Sequence, residues 1–268
     1  MSDITYASIK SSQQLVHSMI IIGLCSERLM VMMMIFPPTS DNFIQGRVRT
    51  ALALMWGSFV AYGQDGLMEH GDAMILVVVA LKEALIGIVI GFAASSVFWA
   101  AECVGTYVDD LTGFNQIQMQ NPSQGQETSL TSTLLSQFAI AAFWCFGGMT
   151  FLLGAIYESY HWWPIQNVAP VAAKIVESFV LSKTDSLMET VAKLATPMMV
   201  LLLLIDIGFG FTGKVSQKLD LHSLAQPVKG ALTILMLALL AGVFVDEVHD
   251  QLSLIGIAAE ARALAGEK

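Results

Sequence analysis

A chain of 268 residues that is 55% hydrophobic and only 13% charged, with a mean hydropathy of +0.65, has too little charged surface to stay dispersed as a soluble domain. It reads as a membrane protein, and its formal net charge of −9 excludes nucleic acid or an anionic lipid surface as the main partner. Cys25, Cys103 and Cys145 are far apart in apolar surroundings without CxxC spacing, so neither a disulfide framework nor a zinc site is suggested.

The first apolar run, Leu15 to Phe36, is long enough at ~1.5 Å per residue to cross ~30 Å of hydrocarbon, and Pro37 and Pro38 end it. Only Lys10 precedes it and no small-x-small site follows, so it is not expected to be a cleaved signal. A second, shorter run covers about Val48 to Tyr62. A third begins near Ala73, passes through Lys82 and Glu83, and continues to Ala101. On it Gly87, Gly91 and Ser95 recur every four residues, a face along which two helix backbones can approach closely.

Next comes a polar island, Gly105 to Gln126, with Asp109, Asp110 and five glutamines but no Lys or Arg. Unpaired amides in lipid cost several kcal/mol each, so this stretch must face water, protein or a passage. A fourth apolar run, Leu134 to Ile156, follows. The fifth, about Leu194 to Phe211, carries Thr196 and Pro197 near its start, where they either cap a fresh helix or kink a longer one beginning near Ser186. A sixth runs from Gly230 to Val245. Open sheet edges do not persist in lipid, so every apolar run reads as helix: an all-α membrane protein of about six helical segments. The mixed-charge stretch Tyr160 to Ser186, with Pro164 and Pro170, divides a four-segment part from a two-segment hairpin.

Several of these segments carry charges that a lone span avoids: Glu27, Arg28, Lys82, Glu83 and Asp206. Each costs ~2.5–3.5 kcal/mol near a helix centre, so the chain is a poor free-standing bundle and is expected to need partners. Strict alternation of six spans also puts the island on the side of the basic loops at Arg47, Arg49, Lys214, Lys218 and Lys229, although it carries none of their charge. The island is therefore expected to return into the assembly. No HExxH, GxSxG, Walker loop or GxGxxG occurs, and Asp109 and Asp110, if helical, point about 100° apart and cannot act as an acid–base pair. Neither an enzyme nor a bound cofactor or metal is expected.

In order and spacing these features resemble the SctT/FliR export-gate family of type III secretion systems, with the injectisome branch (SctT; YscT/HrcT/SpaR-like) favoured over flagellar FliR. The resemblance rests on Arg28 ahead of Pro37–Pro38, KEALIGIVIGF at 82–92, VGTYVDDLTGF at 104–114, the Pro-Ser-Gln-Gly-Gln loop at 122–126, ATPMMVLLLLIDIGFGF at 195–211, and Gln226-Pro227-Val228-Lys229. It implies a non-enzymatic subunit of the bacterial inner-membrane export gate, with much of the assembly on the periplasmic side. Partners implied are about five SctR-like (FliP-like) and about four SctS-like (FliQ-like) chains, with SctU-like and SctV-like components and unfolded secreted proteins as cargo. Residues 1–185 would resemble the R-type partner and 186–268 the S-type hairpin. The family's plug loop carries over onto about 105–128, namely Asp109, Asp110, Gly113, Asn115, Gln116, Gln118, Met119, Gln120, Asn121, Pro122, Gln124 and Gln126. The residues alone leave an alternative open, an independent ion-coupled transporter or channel subunit with Glu83 and Asp206 as coupling sites and Asp109 guarding a vestibule.

Overall fold

The computed structural model describes residues 2–62, 73–113, 119–120, 127–167, 173–215, 227–239 and 242. These are almost wholly helical: α1 (Ser2–Ile35), α2 (Gly46–Ala61), α3 (Ala73–Thr112), α4 (Leu130–Cys145), α5 (Gly148–Trp162), α6 (Ala173–Val215) and α7 (Pro227–Leu239). A two-residue antiparallel bridge pairs β1 (Met119–Gln120) with β2 (Glu127–Thr128), Met119 opposite Thr128 and Gln120 opposite Glu127. Three stretches are long and apolar enough to cross a membrane, Leu15–Ile35, Met74–Thr112 and Val176–Thr212, and a fourth if the broken pair α4 and α5 counts as one span. The chain is an all-α membrane protein.

Helix ends follow local chemistry. Proline lacks the N–H that would continue α1, and Pro37–Thr39 instead form a 3₁₀ turn. Thr39 closes that turn by donating its hydroxyl to Met33 O at 2.7 Å, and buried Arg49 at the start of α2 donates to Thr39 O at 3.2 Å while pairing with Asp41 at 3.1 Å.

Several helix boundaries differ from the sequence expectation, among them the start of α1 at Ser2 rather than Leu15 and of α6 at Ala173 rather than near Ser186. The fourth apolar run is broken, because Gly147 takes φ +69° after Phe146, a left-handed stop that ends α4 before Gly148 starts α5. The third helix does not stop at Ala101 but runs eleven residues further, to Thr112. Thr106 and Thr112 spend their hydroxyls on the Glu102 and Val108 carbonyls one turn back, so polar residues sit in the helix without leaving it. Of the two readings of Thr196–Pro197, the longer helix holds, and Pro197 lies inside α6.

The described residues fall into two compact units that interleave along the sequence, one drawn from 2–95 and 150–180, the other from 96–149 and 181–242. In the first, glycines bring helices close. A Cβ on Gly57 of α2 would lie 2.6 Å from Ser26 Cβ, and one on Gly87 of α3 would lie 2.6 Å from the Arg28 carbonyl oxygen. Gly91, one turn on, faces Met32 with more room, 3.3 Å, and Ser95 donates to Gly91 O at 2.6 Å and Ile35 O at 3.4 Å. The Gly87–Gly91–Ser95 face thus lies along α1.

Gly87→Ala is therefore expected to force α1 and α3 apart and cost about 1–3 kcal/mol of overpacking, more than the ~1 kcal/mol that alanine gains over glycine in a helix. Gly23→Ala, with nothing within 4 Å, should be neutral or slightly stabilising. Thermal midpoints in detergent check the order Gly23→Ala, then Gly91→Ala, then Gly87→Ala, from least to most damaging.

Candidate functional site

Two polar clusters stand out against the apolar background, one in each compact unit. In the first unit Arg28 of α1 and Glu83 of α3 are wholly buried. Arg28 Nε donates to Glu83 Oε2 at 2.9 Å and its Nη2 lies 2.7 Å from the same oxygen. Two further contacts follow: Nη1 donates to Ser159 Oγ at 2.6 Å and Nη2 to the Trp163 carbonyl at 3.0 Å. Tyr160 lies 4.0 Å under the guanidinium carbon, a cation–π contact, and its hydroxyl donates to Cys25 O at 2.6 Å.

Lys82 completes the cluster. Its ammonium lies 3.1 Å from Glu83 Oε1, an ion pair without hydrogen-bond alignment, and donates to the carbonyls of Pro164 at 2.8 Å, Ile165 at 3.3 Å and Asn167 at 2.9 Å. Two cations therefore share one carboxylate, and backbone oxygens after α5 take up the remaining donors. Glu27 is half-buried nearby in sequence. A carboxylate that couples ions to transport must meet water and change partners, whereas Glu83 is enclosed and held by two cations. Its arrangement is that of a lock between α1, α3 and the turn after α5.

In the second unit the later half of α3 runs antiparallel to α4. Phe98 meets Phe143 edge-on at 6.0 Å, Glu102 accepts from Ser136 Oγ at 3.0 Å, and Gly105 packs against the Ser132 backbone, where a Cβ would overlap it. At the end of this seam Asp109, fully buried, accepts from the Thr131 backbone N–H at 2.8 Å and from the Thr131 hydroxyl. An anion at a helix N-terminus satisfies an otherwise unpaired N–H and complements the helix dipole. Asp110 points away and is exposed.

The other end of the island's stem is held by a cation. Lys229 of α7 donates to Leu111 O at 3.2 Å, in the last turn of α3, and pairs with Asp206 of α6 at 2.5 Å. Asp206 is half-exposed and so is held as an ion pair between neighbouring helices. Of the candidate plug residues, Asp109, Asp110 and Gly113 (φ +79°) close α3, and Met119 and Gln120 form β1. Asn115, Gln116, Gln118, Asn121, Pro122, Gln124 and Gln126 lie outside the described residues. Sequence reasoning missed Thr131, Ser159, Tyr160 and the carbonyls of 163–167; only the Ser129-Leu130-Thr131 start of α4 carried a local capping signal.

Long apolar helices, a buried ion pair between two of them and an amide-rich connection held at both ends define a helical membrane protein. Residues 19–255 match the model of bacterial export proteins, family 1, and the chain belongs to that family, the SctT/FliR proteins. It is similar to Yop proteins translocation protein T of Yersinia pestis, 31% identical over 168 residues covering 63% of this chain and 64% of that one. It is also similar to secretion system apparatus protein SsaT of Salmonella typhimurium, 28% identical over 66% of this chain and 68% of that one. With flagellar biosynthetic protein FliR of Bacillus subtilis it shares 23% over 65% of this chain and 68% of that one. The aligned region spans less than two thirds of the Yersinia protein. Identity to the two secretion proteins exceeds that to the flagellar one, which favours the injectisome branch.

Removing one partner of an enclosed pair leaves an uncompensated charge, at a cost of about 3–5 kcal/mol. Glu83→Leu should accordingly lower the level of folded protein strongly. Arg28→Leu/Glu83→Leu, which removes both charges and leaves Lys82 its carbonyls, should recover part of that loss. Thermal midpoints and membrane levels of Arg28→Leu, Glu83→Leu and the double variant check this; a double variant that loses as much as the two singles together would show that the pair is not a unit.

Proposed function

We propose that this chain is a non-enzymatic subunit of the inner-membrane export gate of a type III protein secretion system, where it forms part of the entry portal and plug for unfolded export substrates. The names of its relatives support the general assignment, since they describe translocation, a secretion apparatus and flagellar biosynthesis. The observation that carries the reading is helix length. At 40 and 43 residues, α3 and α6 extend about 60 and about 65 Å, twice the ~30 Å of hydrocarbon. Their polar halves, with exposed Glu102, Thr106 and Asp110 on α3 and exposed Asp185, Glu189 and Lys193 on α6, are unsuited to lipid and fit a structure that stands out of the bilayer.

In this reading residues 1–185 take the R-type-like position and 186–268 the S-type-like hairpin, with SctR-like, SctS-like, SctU-like and SctV-like chains around them. The amide-rich connection between α3 and α4 is the plug. Neutral amides can fill a passage and bond locally without gripping a passing polypeptide, and the stem charges at Asp109 and Lys229 hold its base. The transporter alternative has no support from Glu83, which is enclosed, or from Asp206, which is paired.

Deleting Asn115–Gln120 should leave the complex assembled but make cells leak ions or small solutes. Unchanged conductance in a complex of normal composition would remove the plug assignment. Asp206→Asn, which leaves Lys229 without its counter-charge, should reduce assembly or secretion, measured as co-purified partner chains and exported protein.

A further inference from the structure

The N-terminus of α4 has two side chains able to serve it, and only one is in use. Asp109 on α3 accepts from the Thr131 N–H and hydroxyl. Ser129 is the N-cap by position, with the extended backbone (φ −67°, ψ 146°) from which a serine hydroxyl reaches the amides two or three residues on. Yet Ser129 makes no cap hydrogen bond, and its Oγ is buried without a partner among the described residues. A buried hydroxyl left unserved is unfavourable, and here it lies two residues before an amide, the Thr131 N–H, that Asp109 has taken. From that cap backbone a rotation about χ1 lets a serine hydroxyl accept from the amide two residues on, which here is the Thr131 N–H that becomes available once Asp109 leaves.

We propose that Asp109 and Ser129 are alternative caps of α4, so that the end of α3 can part from the start of α4 while α4 keeps a capped, folded N-terminus. In the observed state Asp109 holds the two helices together and the Ser129 hydroxyl is idle. In the other state Ser129 serves the helix and Asp109 is released to water. Other contacts at this junction oppose parting: Gly105 packs on the Ser132 backbone and Ser136 donates to Glu102, while Lys229, paired with Asp206, ties the last turn of α3 to α7. Thr112 stays with α3, donating to Val108 and Asp109 carbonyls, so α3 keeps its last turn in both states. The exchange stands on these residues alone. Its consequence, that parting frees the base of the plug, rests on the proposed function.

The test is a double-mutant cycle in the full chain within its native complex, read by complex yield, by hydrogen exchange at the Thr131 amide and by ion leak. Asp109→Ala and Ser129→Ala should each leave the yield within about twofold of wild type, because one cap remains. The double variant should lose about fivefold or more, as expected when a helix loses its only cap. Thr131 amide protection should survive in Asp109→Ala and disappear in the double variant. A double variant no worse than Asp109→Ala, or an Asp109→Ala chain that already fails to assemble, overturns the exchange. Leak is read separately: Asp109→Ala should raise it several-fold over Ser129→Ala. A strong cycle without leak would keep the exchange and reject the plug, whereas leak without the cycle would do the reverse.

Discussion

A charge carried into lipid must find its opposite inside the protein, and the meeting of Arg28 with Glu83 is where this chain does so most completely. That guanidinium donates to a carboxylate, a hydroxyl and a carbonyl, and an aromatic face lies beneath it. Lys82 then ties the turn after α5 to α3 through three carbonyls. Such a cluster adds little net stability over an apolar one, but it makes alternative pairings of the same helices costly. Register follows from it: with Arg28 fixed against Glu83, Gly87 falls against the Arg28 carbonyl and Gly91 against Met32, where only small residues fit.

The second unit applies the same rule at its helix ends. A membrane helix that stops short of water leaves unpaired N–H and C=O groups, and here an anion serves the start of α4 while a cation serves the last turn of α3. Both side chains come from other helices. Local capping would have kept each helix independent; borrowed capping makes the ends of the amide-rich connection depend on how α3, α4 and α7 are placed. That dependence is what a movable element needs, because small shifts between helices then change what its base is bonded to.

Much of this was legible in the residues. Apolar run lengths gave the helices, Pro37 and Pro38 their first stop, and the Gly87–Gly91–Ser95 spacing a close-packed face. The start of the polar island, Gly105 to Thr112, was set apart from the third run because composition changes there, whereas it continues α3 with its threonine hydroxyls bonded one turn back and Asp109 meeting Thr131 twenty-two residues away. The break at Gly147 was hidden in a run that stays apolar on both sides, where periodicity carries no signal. The charges themselves were visible as anomalies, but not their pairing: Ser159 lies 131 residues from Arg28, and two of Arg28's contacts and three of those of Lys82 involve side chains or carbonyls that no motif marks.

Inward charges are satisfied by the chain itself, but its outward faces are not those of a solitary membrane protein. Large apolar side chains such as Leu203, Leu204 and Phe211 are exposed on α6, and the same helix carries exposed Asp185 and Glu189 at least about four turns earlier. One helix thus presents both lipid-like and water-like surface over about twice the bilayer's depth. The mass and subunit composition of the complex extracted gently from native membranes tests this most directly. The account expects one copy of this chain within a hetero-oligomer of related helical subunits; a monodisperse monomer or homo-oligomer, stable and complete in bilayers, would contradict it.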